Sequence, residues 1–232
     1  MSSYRSRRWR WVRRLADAFD VYVFPKDVVG KYGEVNWGKH GAGDRYVKVQ
    51  KAASQAKYNL SWAKKENCAK IVHILEASGE RVRSMICHGV RNGSELGFFR
   101  EAGVPELMGT DLYVPTGSEA HIDVVEHDFS KPEPKWVEMF QYVYSNSLDH
   151  SLDPISTLLV WSEQIEASGS ILLELDVTHG VGGTSDLDVT GIPLDVLPFW
   201  LSRETNNKLF VKAIYDLPRE RFLYQICKAG SK

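Results

Sequence analysis

The stretch Arg83–Tyr113, RSMICHGVRNGSELGFFREAGVPELMGTDLY, decides the fold. Met85, Ile86 and Cys87 form a short apolar run of the kind a buried strand shows, and Gly89 and Gly93 bracket Val90, Arg91 and Asn92 where the chain must turn tightly into a helix. Glycine suits such a turn because it takes positive φ and lets a ligand approach bare backbone. Leu96, Phe98 and Phe99 are the apolar positions of a helix that stops near Gly103, and Glu106 to Thr110 read as the next strand, with Asp111 at its C-terminal end. Asp111 lies 22 positions beyond Gly89. An acid at about 20 residues past a strand-to-helix glycine turn is where a Rossmann-like fold holds ribose hydroxyls.

Upstream, Val47, Ala52, Ala56, Leu60, Ala63, Ile71, Ile74 and Leu75 are spaced for one or two helices over residues 47–78. Residues 25–46 are rich in glycine and aromatics and read as a loop of the length that lids often have. Residues 4–19 carry arginine at 5, 7, 8, 10, 13 and 14, with Trp9, Val12, Leu15, Ala16 and Phe19 near one helical face. That helix either packs its apolar face on the domain or touches RNA or an anionic membrane.

Downstream, residues 121–126 and 139–144 read as two further strands, separated by the proline-containing loop KPEPK. Asp153 caps a helix with Pro154 in its first turn, and Gly169 is the expected stop. Residues 170–175, SILLEL, then form a nearly all-apolar strand, as a sheet covered on both faces requires. Residues 177–193 are a loop and 194–203 a short helix. KLFVKAIYDL and RFLYQICKA are strands joined across Pro218, Arg219 and Glu220, a joint short enough to force an antiparallel hairpin. The expected class is therefore α/β: a Rossmann-like three-layer sandwich with a mostly parallel seven-stranded sheet, an antiparallel C-terminal hairpin and an N-terminal helical and loop extension. Residues 1–79 are the extension and 80–232 the ligand-binding domain.

Composition narrows the setting. Thirty acidic against 29 basic residues leave a net charge of −1, which gives no general reason to expect nucleic acid. Cys68, Cys87 and Cys227 are odd in number and far apart, which argues against a disulfide framework and a CxxC metal site and suggests a reducing cytoplasm. Neither a membrane-spanning run nor a secretory signal is expected. His121, Asp123 and His127 alternate onto one strand face, but the expectation is that no metal binds.

The glycine turn ICHGVRNG, the acid in GTDLY, the acid in EHDF, the segment YSNSLDH after a strand and the terminal hairpin together resemble the class I, Rossmann-like S-adenosylmethionine-dependent methyltransferases over roughly residues 80–228. The resemblance implies S-adenosyl-L-methionine as cofactor and a small-molecule, lipid or sugar acceptor. By it, His88, Gly89, Arg91, Asn92 and Gly93 hold the amino-acid end of the cofactor, and Asp111 with Leu112 the ribose. Asp128 and Phe129 hold the adenine, and Ser145 and Asn146 complete the pocket. His150 with Asp149 is the expected catalytic pair, because methyl transfer from a sulfonium needs alignment and, for a hydroxyl acceptor, a base. The segment is not the Asn/Asp-Pro-Pro-Tyr/Phe signature of amino-group methylation. The chain departs from the family in having Cys87 at the usual acid position and Arg91 at the middle glycine. An inactive cofactor-binding or scaffold protein is thus an alternative, as is an enzyme directed to RNA or membrane by its basic N-terminal helix. His179 and Asp186 fall in a glycine-rich loop on the same sheet edge and read equally as a lid or a plain connector. Glu174 and Asp176 receive no role.

Overall fold

The structure is a computed structural model that describes residues 44–77, 79, 81–115, 123–180, 185 and 187–230. Residues 4–19, His121 and Asp186 lie outside the described residues, as does most of the 25–46 loop. The elements run α1 (Asp44–Ala56), α2 (Lys65–Glu76), β1 (Ser84–His88), α3 (Ser94–Glu101), β2 (Glu106–Asp111), β3 (Val124–Glu126), β4 (Phe140–Ser145), α4 (Pro154–Gln164), β5 (Ile165–Asp176), α5 (Leu197–Glu204), β6 (Leu209–Leu217) and β7 (Arg221–Lys228).

The seven strands form one sheet in the order β3-β2-β1-β4-β5-β7-β6. β1 to β5 are parallel, and β7 runs antiparallel between β5 and β6. The chain leaves β1 on one side to build β2 and β3 and returns on the other side to build β4, which makes the β1/β4 edge a topological switch point. At the hairpin, Arg219 and Glu220 both take left-handed φ, of 65° and 56°, matching the twist of the strands they join.

Strand alternation divides the core in two. Ile86, Val143, Ile171 and Leu173 point to one face, where they meet Leu158 and Trp161 of α4 and Trp200 of α5. Met85, Cys87, Tyr142, Tyr144 and Leu172 point to the other, against Cys68, Ile71, Val72 and Leu75 of α2 and Leu96 and Phe99 of α3. Apolar residues covered on both faces explain the near-continuous apolar runs of β1, β4 and β5. α2 thus shares a core with the sheet.

Two boundaries differ from expectation. α1 begins inside the expected 25–46 loop: Tyr46, Gln50 and Ser54 recur at helical spacing, but this stripe faces a cavity and is polar, so apolar periodicity does not reveal it. α4 ends at Gln164, five residues before Gly169. Its last carbonyls turn to the neighbouring chain, with Glu163 O accepting from Glu138 N at 2.8 Å and Gln164 O from Met139 N at 3.1 Å. Ile165 then starts β5 opposite Phe140, and the register slips before Ser170 pairs with Tyr142. Gly169 lies within this irregularity, and its role is close approach: a Cβ there would stand 2.5 Å from the backbone oxygen of Gln141. Gly169→Ala is expected to destabilise the fold by about 1–3 kcal/mol through overpacking, measured by urea denaturation.

Candidate functional site

Two cavities open at the C-terminal ends of β1, β2 and β4. The larger, about 520 Å³, is lined by Asp111, Leu112, Asp128 and Phe129 from the sheet side and roofed by Tyr46, Gln50 and Ser54 of α1. The smaller, about 260 Å³, is lined by Asn92, Glu95, Asn146, Asp149, His179 and Asp188 among others. Lys57, Gly89, Arg91, Ser147 and His150 border both, so the glycine turn is the partition between them.

The turn is set by β2. Gly89 N and Val90 N donate to Thr110 O, and Arg91 N donates to Asp111 Oδ2 at 2.8 Å. Gly89 has φ 75°, and a Cβ there would lie 2.7 Å from Ser147 Cβ, so only glycine lets the ends of β1 and β4 meet this closely. Arg91 adopts φ 48°, the left-handed conformation that the family's middle glycine would take freely, and its guanidinium reaches back to Leu60 O at 3.0 Å. The backbone therefore keeps a glycine shape with a side chain directed out of the turn.

Asp111 is buried and already has three donors: Arg91 N on Oδ2, and Ser54 Oγ at 2.8 Å and Tyr113 N at 3.0 Å on Oδ1. Asp128 Oδ1 accepts from Ser130 N and Ser130 Oγ, which fixes the turn after β3. The ring of Phe129 stands edge-on to Trp161 at 5.5 Å, and its carbonyl takes the indole N–H of Trp161 at 2.9 Å. α1 is fastened over this chamber by Tyr46 Oη to His150 O, Gln50 Nε2 to Leu187 O and an ion pair between Lys51 and Glu126.

Around the smaller cavity His150 Nδ1 lies 3.2 Å from Leu187 O, which can only accept, so the neutral ring carries its proton on Nδ1 and leaves the Nε2 lone pair free for chemistry. Asp149 is buried, its Oδ2 is 3.9 Å from His179 Nε2 and its Oδ1 has no hydrogen-bond partner among the described residues. Burial raises its carboxyl above the usual range, opposed by the two histidines. Asp149, His150 and Asp188 each place one ligand atom within 4.8 Å of the others. Glu95, in the first turn of α3, is pushed up to about 7 by burial, against its own backbone hydrogen bond, an Asn146 hydrogen bond and Arg91, with Glu174 adding to the rise.

Two expected cofactor residues have other duties. The His88 side chain lines neither cavity. It is buried under β1, bonded to Thr110 Oγ1 at 2.7 Å and Gln164 Oε1 at 2.8 Å and stacked on Trp161, and burial pushes its pKa down to about 3. Ser145 is likewise buried, donating to His88 O and accepting from Ser147 N, so it ties the end of β4 to the end of β1. Alternation along β1 explains the placement of the His88 side chain, since the residue preceding Gly89 must point into a layer rather than out of the strand end. Asp123 and His127 do not gather as a metal group: Asp123 pairs with Arg100, and His127 packs on Trp136.

Other site residues went unassigned in the sequence. His179 is buried in the site, with Asp176 at its Nδ1 and the edge of Trp62 against its ring at 5.0 Å. Trp62 is in turn covered by Arg221, whose guanidinium carbon is 3.4 Å from the ring centroid. Arg221 forms a buried ion pair with Glu174 at 2.9 Å, and Glu174 also accepts from Asn67 and Tyr144. Alternating Glu174 within an otherwise apolar strand was the available signal: a carboxylate there must have a buried partner.

No family model matches the sequence, and no curated protein matches it. Solved structures do. The 1,6-didemethyltoxoflavin-N1-methyltransferase of Burkholderia thailandensis, with 1,6-didemethyltoxoflavin and S-adenosylhomocysteine bound, superposes with a TM-score of 0.61 at 15% identity, over 82% of this chain and 92% of that one. The plantazolicin methyltransferase BpumL, in complex with S-adenosylhomocysteine, gives 0.56 at 9% identity, over 79% and 89%. An S-adenosylmethionine-dependent methyltransferase of Clostridium acetobutylicum gives 0.54 at 10%, over 77% and 98%. The chain has the class I methyltransferase fold, with the seven-stranded sheet and antiparallel hairpin that the sequence led us to expect.

Because the folded pKa of Glu95 lies above its ordinary 4.5, folding favours the protonated form, and the stability this contributes is full below pH 4.5 and lost as pH rises toward 7. The wild-type unfolding free energy, taken relative to Glu95→Gln, is expected to fall across that window by on the order of 3 kcal/mol and to level off above it. Denaturation curves of both proteins between acid and alkaline pH measure this, and a difference independent of pH would remove the buried-carboxyl assignment.

Proposed function

We propose that this protein is an S-adenosylmethionine-dependent methyltransferase acting on a small-molecule acceptor. The observation that carries the reading is the pair of joined cavities at the switch point: one is walled by an acid, a second acid and an aromatic ring, the other by titratable side chains, and the glycine turn stands between them. The residues fit the cofactor in chemical kind. Asp111 suits a diol, Asp128 an exocyclic amine and Phe129 a flat ring, while Gly89 and the backbone of Arg91, Asn92 and Gly93 leave room for the amino-acid chain. Bound there, S-adenosylmethionine would supply an electrophilic methyl group.

The protein's part is to align the acceptor and take its proton. His150 borders both cavities and has its Nδ1 held by Leu187 O, so its Nε2 is the base in this reading, with Asp149 behind it in the smaller chamber. α1, roofing the larger chamber, excludes water from the transfer. Two of the similar proteins are described as methyltransferases of toxoflavin and plantazolicin compounds, which supports a small molecule over a macromolecule. The acceptor is a small molecule, lipid or sugar; in this reading residues 80–232 hold the cofactor, α2 is the packing segment of the N-terminal extension and α1 its cap over the chamber.

Calorimetric titration with S-adenosylhomocysteine is expected to give binding in the micromolar range, and absence of heat at millimolar ligand would end the reading. Asp111→Asn should weaken that binding about tenfold or more, the worth of a charge-assisted hydrogen bond. His150→Ala should lower kcat by roughly 10²–10⁴ while leaving S-adenosylhomocysteine affinity nearly unchanged. Cofactor binding without turnover on any acceptor pool would instead favour the scaffold alternative.

A further inference from the structure

The family's acid before the glycine turn is replaced by Cys87, and the structure shows that nothing at this position can take over its work. Cys87 is fully buried between β1 and α2, lines neither cavity, and burial pushes its thiol well above the usual range. The amino-acid end of a cofactor seated on Gly89 would carry a positive ammonium group into the smaller cavity, and that chamber holds a carboxylate eight positions along the chain from Cys87.

Glu95 is buried on the first turn of α3, directly after the glycine turn, and lines the smaller cavity beside Asn92 and Asn146. Its Oε2 has no hydrogen-bond partner among the described residues. A buried carboxylate oxygen without a donor is destabilising, and an ammonium group brings three N–H donors and a compensating charge. The cation already nearby does not fill this place, because the Arg91 guanidinium bonds to Leu60 O. Asp149, across the cavity, also has an unpartnered oxygen, but its other oxygen faces His179, and it follows β4 rather than the turn.

We propose that Glu95 binds the α-ammonium group of the cofactor, replacing from the helix the acid that the strand lacks. This rests on the S-adenosylmethionine reading above. It assigns a ligand role to a side chain outside the glycine turn itself, and it makes Cys87 a packing residue.

The test compares S-adenosylhomocysteine with its deaminated analogue, identical except that hydrogen replaces the α-amino group, titrated calorimetrically above neutral pH into the full chain. Wild-type protein is expected to prefer the amine-bearing ligand by about ten- to a hundredfold. In Glu95→Gln that preference disappears: S-adenosylhomocysteine binds more weakly by the same factor, and the deaminated analogue binds within about threefold of wild type. Glu95→Gln retains side-chain shape and removes a buried charge, so it is expected to fold, and Asp149→Asn serves as the parallel arm. The proposal is overturned if Glu95→Gln keeps the preference, if both ligands weaken equally, or if Asp149→Asn abolishes the preference in its place. Silence of wild-type protein toward both ligands would overturn the cofactor reading and the proposal with it, an outcome distinct from the other three.

Discussion

The buried pair of Glu174 and Arg221 is the constraint on which the site's far wall depends. Two charges taken out of water are tolerated only when every lone pair and proton is matched, and here the matching draws in most of the molecule. Asn67 comes from α2, Tyr144 from β4, and the carbonyl of Trp62 from the segment between α1 and α2. The carboxylate in β5 and the arginine it pairs with thereby tie down α2 and the segment before it, neither of which belongs to the sheet, together with the neighbouring strand β4. Arg221 also lies flat on Trp62, whose edge meets His179, so the ion pair sets one wall of the smaller cavity without touching what enters it. An apolar replacement of both partners would fill the volume but would leave Trp62 with no reason to hold its angle.

The other wall is governed by backbone rather than charge. The β1 turn has its N–H groups directed at Thr110 and Asp111, and Ser145 and Ser147 bring the end of β4 against it. These small side chains pin the partition between the two chambers to backbone, while the roof is a single helix held by the side chains of Tyr46, Gln50, Lys51 and Ser54. The contrast suits an enzyme that must position one ligand tightly and still exchange it.

The sheet was legible because its code is local. Apolar runs bounded by glycine and proline, an acid at the right distance and a three-residue joint before the last strand each constrain one connection, and right-handed crossovers leave few ways to combine them. The strand-end positions of Asp111, Asp128 and Phe129, which line the larger cavity, follow from the same logic. What could not be read was anything decided by a partner distant in sequence. His88 looked like part of the turn, but its two bonds go to Thr110 and Gln164. Gly169 looked like a helix stop because the crowding by Gln141 O is invisible in one dimension. Glu95 lies where a polar residue is ordinary on a helix and only burial marks it, while His179 was legible as a loop residue on the site's edge but not as a buried one. The inner stripe of α1 was missed for the opposite reason: it faces a cavity, so it has no apolar signature to detect.

Asp111 accepts from Ser54 and Tyr113 on Oδ1 and from Arg91 on Oδ2, so of its roughly four acceptor sites the one still open is on Oδ2. A serine hydroxyl on Oδ1 is chemically the same donor that a sugar hydroxyl would be. In the methyltransferase reading a diol arriving there adds a bond at the open Oδ2 site and exchanges one with Ser54 at Oδ1. What the exchange provides is selectivity. A ligand without a hydroxyl at that point would leave the acid to Ser54, whereas one with it would release Ser54 near the end of α1 while Gln50 and Lys51 keep their bonds. In the methyltransferase reading, a diol and the Ser54 hydroxyl of α1 thus compete for one acceptor oxygen.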